Sequence, residues 1–203
     1  MQIEELVKQA FDPYVNLPLE EWKVFAGLGD IVVTQKEQIL KSPDSTEKYL
    51  YFMIKGSAGV LLWKNNYFAC FDIFYEGELM GDFMSFFMQR PTPLEVVTFE
   101  PSELFRITKA DFLQLCSGSE IGNKIWQFAS SQLFINKQKQ QIDLLTKSAT
   151  ERYLELQTKR PEMIQRTPHK YLATYLGITP QSLSRIRRKM VVNQKVNRRD
   201  NSY

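Results

Sequence analysis

The sequence predicts an α+β protein with a β-sandwich or roll of roughly eight short strands, a long helix, and a small C-terminal domain built on a helix-turn-helix. Three features indicate this class. Residues 29–108 contain short runs rich in Ile, Val, Tyr and Phe, separated by turn signals such as Ser-Pro-Asp-Ser and Glu-Gly. Apolar residues then recur every seven positions over residues 121–142. Finally, Thr-Pro pairs precede two short helical stretches after residue 166.

The first 118 residues are expected to form one domain, the roll with its flanking helices. Residues 1–26 are typical of helices that pack on the roll, because apolar residues lie on one face before and after Pro18. The clearest predicted strands cover residues 31–34, 49–54, 59–63, 67–74, 94–99 and 103–107. Cys70 and Cys116 are far apart and have apolar or small neighbours, so they are expected to be buried thiols in a reducing compartment.

Residues 119–146 are predicted to form a dimerisation helix. Its row of apolar residues with a coiled-coil period consists of Ile121, Phe128, Ile135 and Ile142. Ile125 supplies one companion position, whereas Gln132 and Lys139 occupy the next two. An intramolecular core helix would give the same row, but about three to four heptads favour a dimer.

Residues 147–203 are predicted to form a helix-turn-helix domain. Thr167-Pro168 and Thr179-Pro180 each place a hydroxyl at an N-cap and a proline at the first helical position. Gly177 stands where the first helix must end, and glycine can adopt the left-handed conformation that turns the chain there. The apolar residues expected to hold the two helices together are Leu172, Leu176, Ile178, Leu183 and Ile186.

The second of these helices has a polar and basic face suited to nucleic acid. The candidate DNA-binding residues are Gln181, Ser182, Ser184, Arg185, Arg187, Arg188 and Lys189. Residues 147–203 hold 13 Lys and Arg against 4 Asp and Glu, a net charge of +9, whereas residues 1–146 carry a net charge of −6. This asymmetry favours double-stranded DNA as the partner, because a basic module displaces counterions from the phosphate backbone.

Other classes of protein are disfavoured by composition. The sequence shows neither a long apolar run nor a secretory leader, so a cytoplasmic protein without a membrane span is expected. No enzyme is expected, since the predicted roll has no His to bind a catalytic metal and the chain lacks a Gly-rich phosphate loop. No cofactor is expected either. Two cysteines cannot ligate an iron–sulfur cluster in the usual way. A haem would need an axial ligand such as histidine, and the sole histidine, His169, lies in the predicted DNA-binding domain.

This order of parts resembles the superfamily of the cyclic-AMP receptor protein and the fumarate-nitrate reduction regulator (Crp/Fnr), bacterial transcription factors. The resemblance is carried by residues 51–62, 76–83 and 175–186. It implies a cyclic-nucleotide-binding-like β-roll of the double-stranded jelly-roll type and a homodimer. It also implies that Gln181 and Arg185 face bases while Ser182 and Ser184 contact the backbone, and, as an implication only, that RNA polymerase is a further partner.

One departure from the family pattern affects the DNA sequence that would be read. Gln181 stands where the family commonly has glutamate, so the half-site should differ, with adenine read by Gln181 and guanine by Arg185. A dimer would read a near-palindromic operator with half-sites about 34 Å apart.

The predicted effector site is vestigial. Where cyclic-nucleotide-binding members have Gly-Glu and Arg-Ser pairs, this chain has Gly81-Asp82 and Thr92-Pro93. A buried phosphate would lack its bidentate cation there unless Arg90 shifted into register, so cyclic AMP and cyclic GMP are not expected to bind. The effector stays unknown, and a ligand- or protein-binding roll with a degenerate DNA-binding domain is the alternative. Residues 191–203 are too short and polar for a β-hairpin wing and are expected to be frayed.

Overall fold

The computed structural model describes residues 2–13, 16–64, 67–118 and 120–200, and within them it leaves the side chains at 118, 120, 121, 125 and 191–200 undescribed. The chain forms two compact units, Met1–Lys139 and Gln140–Tyr203. The helices are α1 (Ile3–Phe11), α2 (Leu19–Ala26), α3 (Phe83–Met88), α4 (Lys109–Gly118), α5 (Glu120–Thr146), α6 (Ala149–Lys159), α7 (Pro161–Arg166), α8 (His169–Tyr175) and α9 (Pro180–Asp200). The strands are β1 (Gly29–Thr34), β2 (Ile39–Lys41), β3 (Tyr49–Lys55), β4 (Ala58–Lys64), β5 (Tyr67–Phe74), β6 (Leu79–Met80), β7 (Leu94–Thr98) and β8 (Ser102–Thr108).

The first unit is a β-roll made of two four-stranded sheets, with strand orders β1-β8-β3-β6 and β2-β7-β4-β5. Every strand pairing between these strands is antiparallel. The α+β class and the roll predicted from the sequence are therefore confirmed. The short strands β2 and β6 were not recognisable from the sequence, because a run of two or three residues has too little apolar alternation to be distinguished.

Two hydrophobic clusters hold the first unit together. The cluster between the sheets is formed by alternate residues of the strands, with Met53, Met80, Val96 and Leu104 fully shielded from solvent. The second cluster packs α1, α2 and α4 on the opposite face of β3 and β8, with Trp22 at its centre. Cys70 and Cys116 are buried thiols, as predicted, and neither forms a disulfide.

The second unit consists of short helices around a small core. Helix α6 starts at a capping box in which the Ser148 hydroxyl accepts from the Glu151 N–H and the Glu151 carboxylate accepts from the Ser148 N–H. The core residues of this unit include Tyr153, Met163, Tyr171, Leu172, Leu176 and Leu183. The predicted division of the chain at residues 118 and 146 stays a prediction, since α5 continues from the first compact unit into the second.

Candidate nucleic-acid interface and effector site

Helices α8 and α9 are joined by a tight turn at Gly177. This residue has a φ of +67°, which confirms the predicted left-handed glycine. The Gly177 N–H donates to the Thr174 carbonyl at 3.0 Å and the Ile178 N–H donates to the Ala173 carbonyl at 3.0 Å, so the turn satisfies carbonyls at the end of α8. The second helix can therefore begin only a few residues after the first ends.

The two predicted N-caps differ in outcome. Thr179 caps α9, because its hydroxyl accepts from the Ser182 N–H at 3.2 Å. The prediction for Thr167 is wrong: the N-cap of α8 is Pro168, and Thr167 is the C-cap of α7. Thr167 is needed at the end of the preceding helix, which the sequence pattern did not reveal, and His169 becomes the first helical residue of α8 instead of the second.

The predicted apolar contacts between α8 and α9 are present. Leu172, Leu176 and Leu183 are at most 1 % exposed, whereas Ile178 and Ile186 are half-buried. Leu183 lies in the first turn of α9, so this helix is fixed by its N-terminal end. The residues between its buried positions are left pointing outward.

Arg152, which no sequence pattern singled out, lies in α6 and binds carbonyls at the ends of two other helices. Its Nη2 donates to the Leu176 carbonyl at 2.6 Å, immediately before the Gly177 turn. Its Nη1 donates to the Lys147 carbonyl and, at 3.3 Å, to the Asp143 carbonyl. Carbonyls at helix C-termini lack intrahelical partners, so one guanidinium supplies donors to the ends of α5 and α8.

The outward face of α9 carries most of the predicted DNA-binding residues. Gln181, Ser184, Arg185, Arg188 and Lys189 are exposed, and Ser182 is half-buried. The Arg185 Nη2 donates to the Ser182 hydroxyl at 3.0 Å. The first turn of α9 contains no acidic residue, so the partial positive charge at its N-terminus is not neutralised by a carboxylate of its own.

Arg187, one of the predicted phosphate contacts, is half-buried and makes contacts within the second unit. Its Nη2 donates to the Ile164 carbonyl at 3.2 Å, and its guanidinium carbon lies 6.0 Å from the centre of the Tyr153 ring. Arg187 comes one helical turn after the buried Leu183, so both residues lie on the face of α9 that packs inward. Its guanidinium thus joins α9 to α7, and its contact with phosphate stays a prediction.

The C-terminal segment was predicted to be frayed, and this stays a prediction. The backbone of residues 191–200 continues α9 to Asp200, while residues 201–203 lie outside the described part of the chain. Residues 181–200 contain no Gly or Pro and several Arg, Lys and Gln, all good helix formers, so no residue stops the helix. The side chains of Lys195, Arg198 and Arg199 lie outside the described ones.

The predicted dimer helix corresponds to α5. Of its apolar row, one described residue is packed against the roll and two are exposed to solvent. Phe128 is half-buried and packs against the hydrophobic cluster of the first unit, so this residue supports the roll. Ile135 and Ile142 are 40 % and 55 % exposed. The side chains of Ile121 and Ile125 are not among those that the structure describes.

The predicted effector residues lie in a buried cluster of charged and polar groups. Asp82 and Thr92 are 1 % and 3 % exposed, and the Thr92 hydroxyl donates to the Asp82 carboxylate. Gly81 has a φ of +139°, a conformation that few other residues adopt. Pro93 is exposed, and so is Arg90, which places neither of these side chains in the cluster.

Two further residues of this cluster carry no sequence signal. Lys41 is 4 % exposed, and its ammonium lies 3.1 Å from the Asp82 carboxylate. The Glu47 carboxylate accepts from the N–H groups of Lys48 at 3.0 Å and Tyr49 at 3.2 Å. Burial raises the pKa of Glu47 to about 7, although these N–H groups act in the opposite direction. The burial of a lysine and a glutamate in polar stretches cannot be predicted from the sequence, because both residue types are nearly always exposed.

Comparison with known proteins agrees with this geometry. The family profile of the cyclic nucleotide-binding domain matches residues 31–119, which cover most of the roll. Comparison of the sequence with curated proteins gives no match. Among the residues that the structure describes, no helix is long and apolar enough to cross a membrane.

Solved structures share the fold at low sequence identity. The c-di-GMP-responsive global regulator CLP of Xanthomonas campestris has a TM-score of 0.69 and 19 % identity over 87 % of this chain and 93 % of its own. FixK2 of Bradyrhizobium japonicum has a TM-score of 0.67 and 15 % identity, covering 82 % of this chain and 86 % of its own. The catabolite activator protein of Thermus thermophilus has a TM-score of 0.53 and 16 % identity, covering 91 % and 87 %. The chain thus has the fold of Crp/Fnr-type regulators, with a stretch at residues 31–119 that matches the cyclic nucleotide-binding domain.

Proposed function

We propose that this chain is a dimeric, sequence-specific DNA-binding transcription regulator of the Crp/Fnr type. The observation that carries the proposal is the outward face of α9, where exposed Gln181, Arg185, Arg188 and Lys189 follow a capped helix N-terminus without an acidic residue. This face belongs to a segment with a net charge of +9. A helix of this kind, held at its N-terminal end by a preceding short helix, is the element that enters a major groove.

The described polar residues on the outward face of α9 each have a role in this proposal. Arg185 reads a guanine through N7 and O6, and Gln181 reads an adenine through N6 and N7. Ser182 and Ser184 set the position on the sugar-phosphate backbone, while Arg188 and Lys189 contact phosphates. His169 belongs to the same surface, because its Nε2 lies 3.4 Å from the Ser184 hydroxyl.

The dimer is proposed to form through α5. Ile135 and Ile142 are exposed and lie seven residues apart, so they come to the same side of the helix at the coiled-coil period. A second copy of α5 would cover both residues. The two recognition helices would then read half-sites about one helical turn, or 34 Å, apart.

The regulator is proposed to work without cyclic AMP. The groups at the predicted ribose and phosphate positions, Asp82 and Thr92, are buried and bonded to each other. Binding a cyclic phosphate there would require this pair to separate and would place an anion beside a carboxylate.

Selection of binding sites from random duplex DNA tests the proposal. The purified full-length chain is used at a fixed salt concentration near physiological, with and without cyclic AMP. We expect the same near-palindromic site in both selections. Lys36→Ala, which removes an exposed charge from the roll, should select the same site, whereas Arg185→Ala should lose the preference at one base pair of each half-site.

Three results would contradict parts of the proposal. A site without two-fold symmetry would refute the dimer. A site recovered only with cyclic AMP would refute the effector-independent roll. Failure to recover any site under either condition would favour the interaction-module alternative for the roll.

A further inference from the structure

The roll contains a lysine whose ammonium group is completely surrounded by oxygen atoms of the protein. The Lys41 Nζ donates to the Leu94 carbonyl at 2.6 Å, to the Thr92 hydroxyl at 2.8 Å and to the Thr92 carbonyl at 3.1 Å. The Asp82 carboxylate oxygen lies 3.1 Å away and supplies the counter-charge. These four oxygens can accept all three N–H bonds of a primary ammonium, which is the arrangement that a buried lysine requires.

The counter-ion is itself held in place. One oxygen of Asp82 accepts from the Ser85 N–H at 3.0 Å at the start of α3, and the other accepts from the Thr92 hydroxyl. Lys41 ends β2, Asp82 lies between β6 and α3, and Thr92 precedes β7. The ammonium therefore joins three segments of the roll that are distant in sequence.

The charges around this position favour a cation and oppose an anion. A second acid, Glu47, is 1 % exposed, and its carboxylate accepts from the Asp82 N–H at 3.4 Å. Among the groups described here, Lys41 is the buried cation of this cluster and is paired with Asp82, whereas the Arg90 side chain is exposed. A phosphate entering the cluster would meet no cation free of an acidic partner.

We propose that this cluster is a primary-ammonium site and that Lys41 is its built-in ligand. The side chain fills, from within the chain, the position at which the roll would otherwise bind a small molecule. The roll is then held in its occupied state permanently. This inference goes beyond the proposed function and holds whether or not the chain binds DNA.

Chemical rescue tests the proposal directly. Lys41→Ala removes Cγ, Cδ, Cε and Nζ of the side chain. These atoms correspond to n-propylammonium, so this amine is the probe. We expect Lys41→Ala to lower the Tm of the roll by about 10 °C, since it leaves a buried carboxylate unpaired. Added n-propylammonium should restore part of this loss in a saturable manner.

The controls separate a specific site from general effects of the additive. Tetramethylammonium, which lacks N–H donors, and n-propanol, which lacks the charge, should not rescue the variant at the same concentrations. Wild type and Lys36→Ala, an exposed lysine on the preceding turn, should not respond to the amine. Equal responses of Lys41→Ala and Lys36→Ala to n-propylammonium would overturn the proposal.

A measurement on the wild-type chain covers the case in which Lys41→Ala does not fold. In protein labelled with ¹⁵N-lysine, NMR should show an ammonium signal that exchanges slowly with water and is absent from Lys41→Arg. The signal should not change when cyclic AMP is added. Rapid exchange of the Lys41 ammonium, or its release by cyclic AMP, would show that the site is not filled by a built-in ligand.

Discussion

The substitution Arg152→Met should destabilise the second unit by about 3 kcal/mol. Methionine keeps the length of the side chain and removes every N–H donor. The wild-type guanidinium donates to the carbonyls of Leu176, Lys147 and Asp143. A hydrogen bond to a charged group contributes roughly 1.5–3 kcal/mol, and a buried carbonyl left without a donor loses a similar amount.

The three bonds of Arg152 are not equivalent. The bond to Asp143 is long, at 3.3 Å, and Asp143 and Lys147 are half-buried, so water can replace the guanidinium there. Leu176 is 1 % exposed, and its carbonyl accepts at 2.6 Å. The main loss of stability is therefore expected at the Leu176 carbonyl. The buried Arg152 Nε has no hydrogen-bond partner among the described groups, so its removal in the variant offsets part of this loss.

Urea unfolding and amide hydrogen exchange measure this effect. Arg152→Met should shift the unfolding transition and increase exchange in α8 and at the start of α9, while the roll stays protected. Arg188→Met is the matched control, because it makes the same chemical change at an exposed position of α9 and should alter stability by less than about 0.5 kcal/mol. If the two variants are equally stable, Arg152 does not hold the helix ends together.

Four other predictions test separate parts of the structure. The pKa of Glu47 rises from 4.5 to about 7 on folding. Proton binding by this carboxyl therefore makes its full contribution to the free energy of unfolding below pH 4.5, and the contribution is lost as the pH rises to 7. In urea unfolding, the stability of wild type relative to Glu47→Gln should thus fall by about 3 kcal/mol over this range, and a pH-independent difference would contradict the burial argument. Gly177→Val should reduce the free energy of unfolding by roughly 2 kcal/mol, and Gly177→Asn by less, because φ is +67° and Asn tolerates the left-handed region. Arg185→Ala should weaken binding by about 1–3 kcal/mol at one base pair, whereas Lys189→Ala should weaken all DNA sequences alike, and identical effects on selected and random duplexes would refute base reading by Arg185. Ile142→Lys should shift sedimentation from dimer to monomer, because a charge would be buried in the proposed α5 interface, and an unchanged dimer would place the interface elsewhere.

Features that depend on local chemistry could be predicted from the sequence. The turn at Gly177 and the cap at Thr179 follow from the residues themselves, since a left-handed φ favours glycine and a free hydroxyl caps a helix. Thr167 carries the same Thr-Pro signal as Thr179 but ends α7. The signal was insufficient there because two helices compete for one residue.

Features that depend on contacts between distant segments could not be predicted. Lys41 and Asp82 are 41 residues apart in sequence, and no property of either residue alone announces their ion pair. Arg187 has the sequence environment of a phosphate-binding residue, yet its position one turn after Leu183 directs it to the Ile164 carbonyl. The basic character of α9 was therefore predictable, whereas the division between its exposed and structural arginines needed the fold.

The hydrogen bonds along the first turns of α9 bear on how selectively the proposed DNA partner is bound. The Thr179 hydroxyl donates to the Ser182 hydroxyl at 3.1 Å, which accepts in turn from Arg185. Arginine is among the side chains with the greatest rotational freedom, and this chain of contacts restricts Arg185 before any encounter. Less entropy is then lost when its remaining N–H groups meet a base edge. Discrimination between DNA sequences should accordingly reside in the dissociation rate, with wrong sequences released quickly from a side chain that cannot readjust to them.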